Sequence, residues 1–353
     1  MNTTPSAPRH PFEFTGKGGE YFRIWVVNLA LTLLTFGIYS AWAKVRRLQY
    51  FHRNTSLLGA SFDYHASPIA ILKGRLIAVG LLLAYQAAAS LSPVLGALVF
   101  VVLVSALPWL LQRSLCFKLA NSSYRGLRFR FAGSMTDAYR AFLLWPALGY
   151  FTLGALFPMA HQRIKAYQHA NSFYANARFG FDADVKSFYG VYLRLLGLVL
   201  APLMMFALVA GVLDIAAAVG DADGDPGETM RTIVKLVLAL VAFYLLVFLL
   251  VAPWFLARMQ NLVWNHTALG PHAFRSEARA RDMLVIYLTN FIAIVATLGL
   301  FKPFADVRVA RYRLTRMAVH TQGNLDDLFA QDARAVNAMG QETADVFDVD
   351  ISF

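Results

Sequence analysis

The chain has 353 residues, of which 58% are hydrophobic and 15% are charged, and its formal net charge is +11. This apolar content is far above what the core of a soluble protein needs, so the composition argues against an ordinary soluble protein and favours membrane embedding. Cys116 is the only cysteine, which excludes an internal disulfide bond and a cysteine-based metal cluster.

The first apolar run, residues 24–43, ends in a pattern that recurs four more times. A proline or alanine is followed by a bulky apolar residue and, four positions after that, by an arginine. Because each pattern closes a hydrophobic run, it marks a point where a repeated membrane segment leaves the lipid. The five arginines are Arg46, Arg113, Arg163, Arg258 and Arg308.

The chain aligns with itself at two offsets, so it contains internal repeats. An offset of 117 carries Phe12 onto Phe129, and an offset of 145 carries Phe129 onto Phe274. These offsets predict four regions, namely a first membrane repeat over residues 1–128, a second over 129–273, a third half-repeat over 274–320 and an acidic C-terminal tail over 321–353.

Each full repeat holds a short and a long apolar unit, and the third half-repeat holds a short one. The long units, about 68–111 and 186–256, each have room for two spanning helices joined by a turn. We predict those turns at Ser92-Pro93 and at an acidic loop around residues 221–225. The short units share the sequence Thr-x-Gly, which begins at Thr35, Thr152 and Thr297.

The short units admit two topologies. If each crosses the membrane once, the chain has seven crossings and its basic junctions divide between the two faces. If each is instead a re-entrant hairpin bent at Thr-x-Gly, four helices span and every basic junction faces the cytoplasm. We favour the second arrangement, because lysine and arginine concentrate in cytoplasmic loops.

The junctions predict short β-hairpins, because a turn residue is flanked by alternating aromatic residues. Unpaired strand edges cannot face lipid, so the hairpins are expected outside the bilayer, where pairing into a cap is open to them. The predicted fold class is an all-α polytopic membrane protein with internal repeats and short cytoplasmic β-hairpins between its membrane segments. The first aromatic residue of each set, including one near the N-terminus, is Phe12, Phe62, Phe129, Phe179 or Phe274.

A compound motif resembles a known family. It runs from Thr35-Phe36-Gly37 through Ala41-Trp42 to Arg46, continues with Asn54-Thr55 and Phe62-Asp63-Tyr64, and is joined by the closing segment 347–351. These residues are similar to the YjgN-like family of bacterial inner-membrane proteins, and the likeness covers nearly the whole chain. The resemblance implies a multi-pass protein of the bacterial inner (cytoplasmic) membrane. Because the function of that family is unknown, it leaves the activity open.

The five arginines suggest two roles. They are expected to anchor the junctions to anionic lipid headgroups, each charge contributing about 1 kcal/mol. The alternative is that they converge on a pseudo-symmetry axis and hold an anion there. In both cases the arginines bind lipid headgroups or a small anion. Nucleic acid is not an expected partner, because most lysines and arginines lie at membrane junctions.

Polar residues inside the apolar runs are a second candidate set. Asn28 and Asn290 occupy matched positions in the first and last short units. With Thr35, Thr152 and Thr297 they are predicted to line a polar membrane interior, because polar groups at membrane depth tend to face protein or water-filled space. The alternative is ordinary hydrogen bonding between helices.

No motif predicts catalysis, a cofactor or a metal. The histidines of the junctions, His52, His161, His169, His266 and His272, have no metal-ligand spacing and are interpreted as solvated or facing headgroups. In the acidic loop, Pro226 and Thr232 stand where a calcium-binding loop needs glycine and glutamate. We therefore predict that the protein is not an enzyme and has no metal site.

Two functions remain as hypotheses. The first is a conduit or transporter for a small solute or lipid, suggested by the polar set. The second is a non-transporting scaffold or regulator that binds a protein partner through the cytoplasmic hairpins and the acidic tail.

Overall fold

The computed structural model describes residues 8–220 and 226–322. The acidic loop and the tail beyond residue 322 lie outside the described residues, as do the predictions made for them. The helices are α1 Gly18–Leu34, α2 Ser40–Arg53, α3 Pro68–Leu91, α4 Pro93–Ala120, α5 Met135–Tyr139, α6 Trp145–Phe151, α7 Phe157–Ala170, α8 Val185–Gly220, α9 Pro226–Asn265, α10 Ala280–Ala296 and α11 Lys302–Thr315. The strands are β1 Arg9–Pro11, β2 Glu13–Phe14, β3 Thr55–Leu57, β4 Ala60–Tyr64, β5 Ser122–Tyr124, β6 Leu127–Phe131, β7 Ser172–Tyr174, β8 Ala177–Phe181, β9 Thr267–Leu269, β10 His272–Ser276 and β11 Met317–His320.

Each short unit is a helical hairpin that bends at Thr-x-Gly. After α1, Phe36 and Gly37 have φ angles of 48° and 92°, and the Gly37 amide donates to the Thr32 carbonyl oxygen at 2.8 Å. This is the hydrogen-bond pattern that ends a helix with a left-handed residue. The same geometry recurs at Leu153-Gly154 and Leu298-Gly299. The residues at the three tips are large, apolar and almost fully exposed, at 99% for Phe36, 99% for Leu153 and 95% for Leu298.

The long units supply the apolar helices. Four segments are long and apolar enough to cross a membrane, judged by length and composition, and they bury few of their residues within the protein. They are Pro68–Leu91, Pro93–Ala120, Val185–Met205 and Val237–Asn265. Side chains that are apolar and exposed along a whole helix need an apolar solvent.

The predicted all-α fold class is wrong. The junction strands do not remain separate short hairpins but join one antiparallel sheet of 11 strands, in the order β1-β11-β10-β9-β8-β7-β6-β5-β4-β3-β2. Hairpin-to-hairpin pairing links strands from different junctions, as where Phe62 of β4 pairs with Tyr124 of β5. The local pattern predicted each hairpin. In the structure the hairpins also pair with one another, so the hydrogen-bonding groups at their edges are satisfied and the strands form a single sheet.

The sheet closes on itself through the N-terminal segment. Residues 9–11 pair with β11, with Arg9 opposite His320, and residues 13–14 pair with β3, with Phe14 opposite Thr55. Phe12 between them donates its amide to the Met317 carbonyl oxygen at 3.0 Å. One extended segment therefore bridges both edges of the sheet and completes a ring.

All the junctions lie at one end of the molecule, because their strands belong to one ring. This placement does not fit single crossings of the short units, which would put successive junctions on opposite faces. The helices follow the same circular order, since α11 returns to pack against α1. Phe22 of α1 stacks on Phe304 of α11 with ring centroids 5.5 Å apart.

Candidate functional site

A half-open cavity of about 510 Å3 lies between the strands of the sheet and the ends of α2, α9 and α11. Pockets for small molecules in proteins have volumes of about 300–1,000 Å3. Most of the wall is aromatic or aliphatic, and the polar side chains in it are His52, Thr55, His272 and Arg313. The wall of the cavity is thus mainly apolar, with a few polar side chains.

Five phenylalanines form a closed ring of contacts around this cavity. Each lies on an inward position of its strand, and neighbouring rings have centroids 6.0 to 6.5 Å apart and interplanar angles of 15° to 30°. Offset stacking at this distance is a favourable arrangement of aromatic rings. The order around the ring is Phe12, Phe62, Phe129, Phe179, Phe274 and back to Phe12.

Two tyrosines of the wall use their hydroxyl groups within the sheet. Tyr124 donates to the Leu57 carbonyl oxygen at 2.6 Å, and Tyr174 donates to the Tyr124 carbonyl oxygen at 2.9 Å. The two hydroxyl groups are therefore used within the sheet, and the aromatic rings of the tyrosines line the cavity. This makes the wall more apolar than its sequence suggests.

His272 brings an unsatisfied polar atom into the cavity wall. The residue is 2% exposed, and its Nδ1 has no hydrogen-bond partner among the described residues. Burial lowers the pKa of His272, so the imidazole is neutral at pH 7. The interpretation of this histidine as solvated is therefore wrong. A buried polar atom without a partner costs free energy unless a ligand or water satisfies it.

A second polar feature lies on the helix faces that look toward the cavity. On α11, Ala310, Arg313 and Leu314 line the cavity at positions separated by three and four residues, and on α2 the adjacent Phe51 and His52 line it. Such spacing places side chains on one face of a helix. We call this face the inner stripe.

The repeated arginine pattern gives the matched positions on the other helices. Counting five residues past each repeated arginine gives Phe51, Lys118, Gln168, Val263 and Arg313, and counting two gives Leu48, Leu115, Lys165, Gln260 and Ala310. Of these residues, Phe51, Ala310 and Arg313 line the cavity. Lys118 and Lys165 are not part of its lining, but the positive charges of Lys118 and Arg313 both act on Lys165.

Hydrogen bonds hold two of these cations in place. The Arg313 Nε donates to Gln260 Oε1 at 2.6 Å, and Gln260 Nε2 in turn donates to Ser276 Oγ at 3.1 Å. The Lys165 Nζ donates to Gln168 Oε1 at 3.3 Å. Burial lowers the pKa of Lys165, and the positive charges of Lys118 and Arg313 lower it further. The three cations are therefore within electrostatic reach of one another.

The five arginines of the repeated pattern lie elsewhere. All five are exposed, and none lines the cavity. Arg163 lies over the Trp145 ring at 5.6 Å, and Arg308 donates to Asn290 Oδ1 at 2.7 Å. These two arginines thus contact the first helix of their own hairpin. Arg46 instead lies 5.9 Å from the Tyr39 ring, and Arg113 and Arg258 are exposed on α4 and α9.

The predicted polar set is divided between two environments. Asn28 and Asn290 are buried, and Asn28 Oδ1 has no hydrogen-bond partner among the residues described. The three threonines occupy the hairpin bends, where each hydroxyl donates one turn back and accepts a backbone amide four residues on. Thr35, for example, donates to the Leu31 carbonyl oxygen at 2.7 Å and accepts from the Tyr39 amide at 2.9 Å. Thr152 and Thr297 repeat this arrangement.

A basic crevice of about 510 Å3 lies on the outside of the first hairpin. Arg23, Arg46 and Arg53 line it together with Tyr50. Arg53 is paired with Asp63 at 2.8 Å, whereas Arg23 and Arg46 are exposed. The crevice is where the repeated arginine pattern comes closest to forming a concave cationic surface.

The residues that the sequence analysis missed are Lys118, Lys165, His272 and Arg313. The repeated arginine pattern did contain a signal for the three cations, because it places Lys118 and Arg313 at positions matched to Phe51 and Lys165 at a position matched to Ala310. Within residues 8–220 and 226–322, no group of three or more histidine, cysteine, aspartate or glutamate side chains is placed to hold a metal ion.

Comparison with known proteins gives the family. The chain is 26% identical to the inner membrane protein YjgN of Salmonella typhimurium over 90% of each chain. It is 30% identical to the inner membrane protein YjgN of Escherichia coli O157:H7 over 42% of this chain and 38% of that protein. No solved structure matches. A family profile described as "Bacterial protein of unknown function (DUF898)" matches residues 9–346, and the chain belongs to that family.

Proposed function

We propose that this protein is a membrane-embedded carrier that binds a lipid-class molecule in the cavity of its β-ring. The observation that carries the proposal is the half-open, mainly apolar cavity whose wall includes five stacked phenylalanines. A polar solute needs hydrogen-bonding groups along its path, whereas this wall supplies mainly aromatic carbon. The proposal narrows the expected conduit to an apolar or amphipathic cargo and assigns the chain no catalytic step.

The proposed setting is the bacterial inner membrane, with the ring on its cytoplasmic side. In this arrangement four helices span, and the three helical hairpins enter the bilayer from the ring side and return. The exposed apolar tips support this arrangement, because Phe36, Leu153 and Leu298 have no protein to pack against and would meet acyl chains. The basic crevice and the five exposed arginines would then contact anionic headgroups.

In this proposal lipid is exchanged through the side of the cavity that the helix ends form. The cavity is bounded by strands of the ring and by the ends of α2, α9 and α11. A molecule bound there would be shielded from water by the aromatic ring and would leave along the inner stripe. The scaffold hypothesis, in which the cytoplasmic hairpins and the acidic tail bind a protein partner, stays a hypothesis: the hairpins form the ring, and the tail beyond residue 322 lies outside the described residues.

A photoreactive fatty acid tests the proposal. The protein, reconstituted in phosphatidylcholine vesicles, is irradiated with palmitate that carries a diazirine in its chain, and adducts are mapped by mass spectrometry. We expect adducts on strands that carry the phenylalanine ring. Adducts confined to the exposed faces of the four apolar helices would overturn the proposal.

Two matched tryptophan variants locate the site. Ala310→Trp adds a large side chain inside the cavity, whereas Ala273→Trp adds the same side chain to the exposed face of β10. We expect Ala310→Trp to abolish the ring adducts and Ala273→Trp to leave them at the native yield. Equal yields in the two variants would contradict binding in the cavity.

Transfer is measured with a single-chain lipid that carries a fluorescent nitrobenzoxadiazole group. Dithionite added outside the vesicles bleaches only the outer leaflet, so loss of the protected fraction reports movement between leaflets. We expect faster loss with the native protein than with Ala310→Trp. Equal rates, with binding intact, would leave a lipid-binding protein and reject the carrier.

A further inference from the structure

We propose that the cargo is an anionic amphiphile whose apolar body occupies the ring cavity and whose anionic head is held by Lys118, Lys165 and Arg313. This inference rests on the proposed function and adds the chemical class of the ligand. The head chemistry is a carboxylate or a phosphate, and the body is a single apolar chain.

The first argument is geometric. Arg313 is part of the cavity wall, and the repeated arginine pattern places Lys118 of α4 at the matched position of its own helix. Lys165 of α7 lies close enough to both for their positive charges to act on it. Cations of three different helices therefore lie near one another, and one of them, Arg313, belongs to the cavity wall.

The second argument concerns charge balance. Throughout residues 8–220 and 226–322, the ion pairs use other cations, such as Arg47 with Asp306 and Arg316 with Asp282, and none of them involves Lys118, Lys165 or Arg313. The groups that Lys165 and Arg313 do bond are neutral glutamines. Several positive charges gathered without a carboxylate repel one another, and an anion placed between them removes that repulsion.

The third argument is preorganisation. The Arg313 guanidinium is fixed by Gln260, whose amide is itself fixed by Ser276 and by the Arg313 carbonyl oxygen. A guanidinium held in this way loses little conformational freedom on binding a carboxylate or phosphate.

The exposed arginines of the repeated pattern are not placed to hold an anion on the axis. Arg163 and Lys165 are two residues apart on α7, but Arg163 is exposed and lies over Trp145, whereas Lys165 is partly buried near two other cations. An anion on the axis is therefore held by the inner stripe rather than by the repeated arginine pattern.

The test compares three competitors of the photoreactive palmitate in nanodiscs of zwitterionic phosphatidylcholine. These competitors are palmitate, hexadecanol and inorganic phosphate. In the native protein we expect palmitate to compete at a concentration at least about tenfold lower than hexadecanol, since each cation contributes roughly 1 kcal/mol to an anionic head. Inorganic phosphate should not displace the probe, because it lacks the apolar body.

The decisive variant is Lys118→Gln combined with Lys165→Gln, which leaves the bond between Arg313 and Gln260 intact. We expect the preference for palmitate over hexadecanol to fall at least several-fold while competition by hexadecanol is unchanged. The control is Arg128→Gln combined with Arg275→Gln, which removes the same charge from exposed positions of β6 and β10 and should keep the preference.

The outcomes separate this inference from the proposed function. An unchanged preference in the Lys118/Lys165 variant overturns the anionic head site while the carrier proposal stands. Displacement by inorganic phosphate alone, at the same concentration as palmitate, overturns the amphiphile and leaves a site for a free anion. Absence of cavity adducts with every probe rejects the proposed function itself.

Discussion

The Phe12 ring stacks on the Phe274 ring with centroids 6.5 Å apart, although these residues lie in the first strand segment and the tenth strand. This contact is the last link in the circle of five phenylalanines. It joins the N-terminal segment to the third half-repeat, so the aromatic circle and the hydrogen-bonded ring close at the same place. Both depend on the short stretch from Arg9 to Phe14.

The phenylalanine circle should contribute strongly to stability. Phe274 is 8% exposed and contacts two members of the circle and the Trp264 ring. We expect Phe274→Ala to lower the free energy of unfolding by about 3 kcal/mol, because it leaves a cavity in a packed core. Denaturant titration in mild detergent measures this value. Phe100→Ala, at a position 54% exposed on α4, is the control and should change it little.

Arg308 should stabilise its hairpin more than Arg46 stabilises the first one. Arg308 satisfies the buried Asn290 Oδ1, so Arg308→Met leaves that oxygen without a partner and should cost about 1–3 kcal/mol. In Arg46→Met no such bond is lost, and the contact with Tyr39 is worth about 0.5–1 kcal/mol at an exposed site. Thermal unfolding of both variants measures the difference. Equal destabilisation would show that the two hairpins are held in the same way.

The hairpin bends should require glycine. Gly299 has φ of 94°, and no atom lies within 4 Å of where its Cβ would be, so the cost of Gly299→Ala is purely conformational. We expect Gly299→Ala to lower the free energy of unfolding by about 1–3 kcal/mol. Gly190→Ala is the matched control, because Gly190 lies within α8 with ordinary helical φ and equally open space. That substitution should raise the free energy of unfolding by about 1 kcal/mol. The unfolding midpoints of the two variants show whether their effects have opposite signs.

Acid should destabilise the ring through its buried histidines. Burial, and then the charge of Lys165, lower the pKa of His169 to about 4 from its usual value of 6.5. The folded state therefore binds fewer protons than the unfolded state between these values, so this contribution is complete above pH 6.5 and is lost as pH falls toward 4. The unfolding midpoint should drop over that range.

His169→Phe isolates this contribution. The substitution keeps an aromatic ring against Phe181 and removes the titrating group. The fall in midpoint between pH 7 and pH 4.5 should become smaller, and the remaining fall reflects His52, His161 and His272, whose pKa values burial also lowers. An identical fall in the variant would exclude His169 as a source of the acid sensitivity.

Cysteine labelling should place every junction in the cytoplasm. Ser61, Arg128, Gly180 and Ala273 are exposed, and each is adjacent in sequence to an inward phenylalanine of the circle. Single cysteines at these positions, in a Cys116→Ser background, should react with an impermeant maleimide in inside-out vesicles and remain unlabelled in intact cells. Labelling of any two of them from outside would contradict the proposed topology, because the four strands share one sheet.

Local features of the fold could be predicted from the sequence, but the ring could not. Alternating aromatics around Gly59 and Gly126 predicted hairpins, and Thr-x-Gly predicted the bends, because turn conformation depends on a few adjacent residues. Closure depends on pairing between distant strands, such as Arg9 with His320, and no local pattern specifies that pairing. The predicted class therefore lacked the sheet.

The candidate site shows the same division. The repeated arginines revealed that five helix ends are alike, but repetition does not tell which side of a helix faces the axis. Lys165 lies two residues after Arg163, which is about 200° around the helix, so the conspicuous residue points outward and the less conspicuous one inward. The role of the threonines could not be predicted for another reason. In the sequence, a threonine whose hydroxyl completes a bend looks the same as one whose hydroxyl lines a polar interior.

The dual pairing of the N-terminal segment also constrains biosynthesis. While the chain is being translated, residues 9–11 have no partner until His320 has left the ribosome, so the nascent sheet keeps two open edges through almost the whole of synthesis. Open edges recruit other strands. Successful assembly therefore requires that neighbouring nascent copies stay apart until β11 has been made.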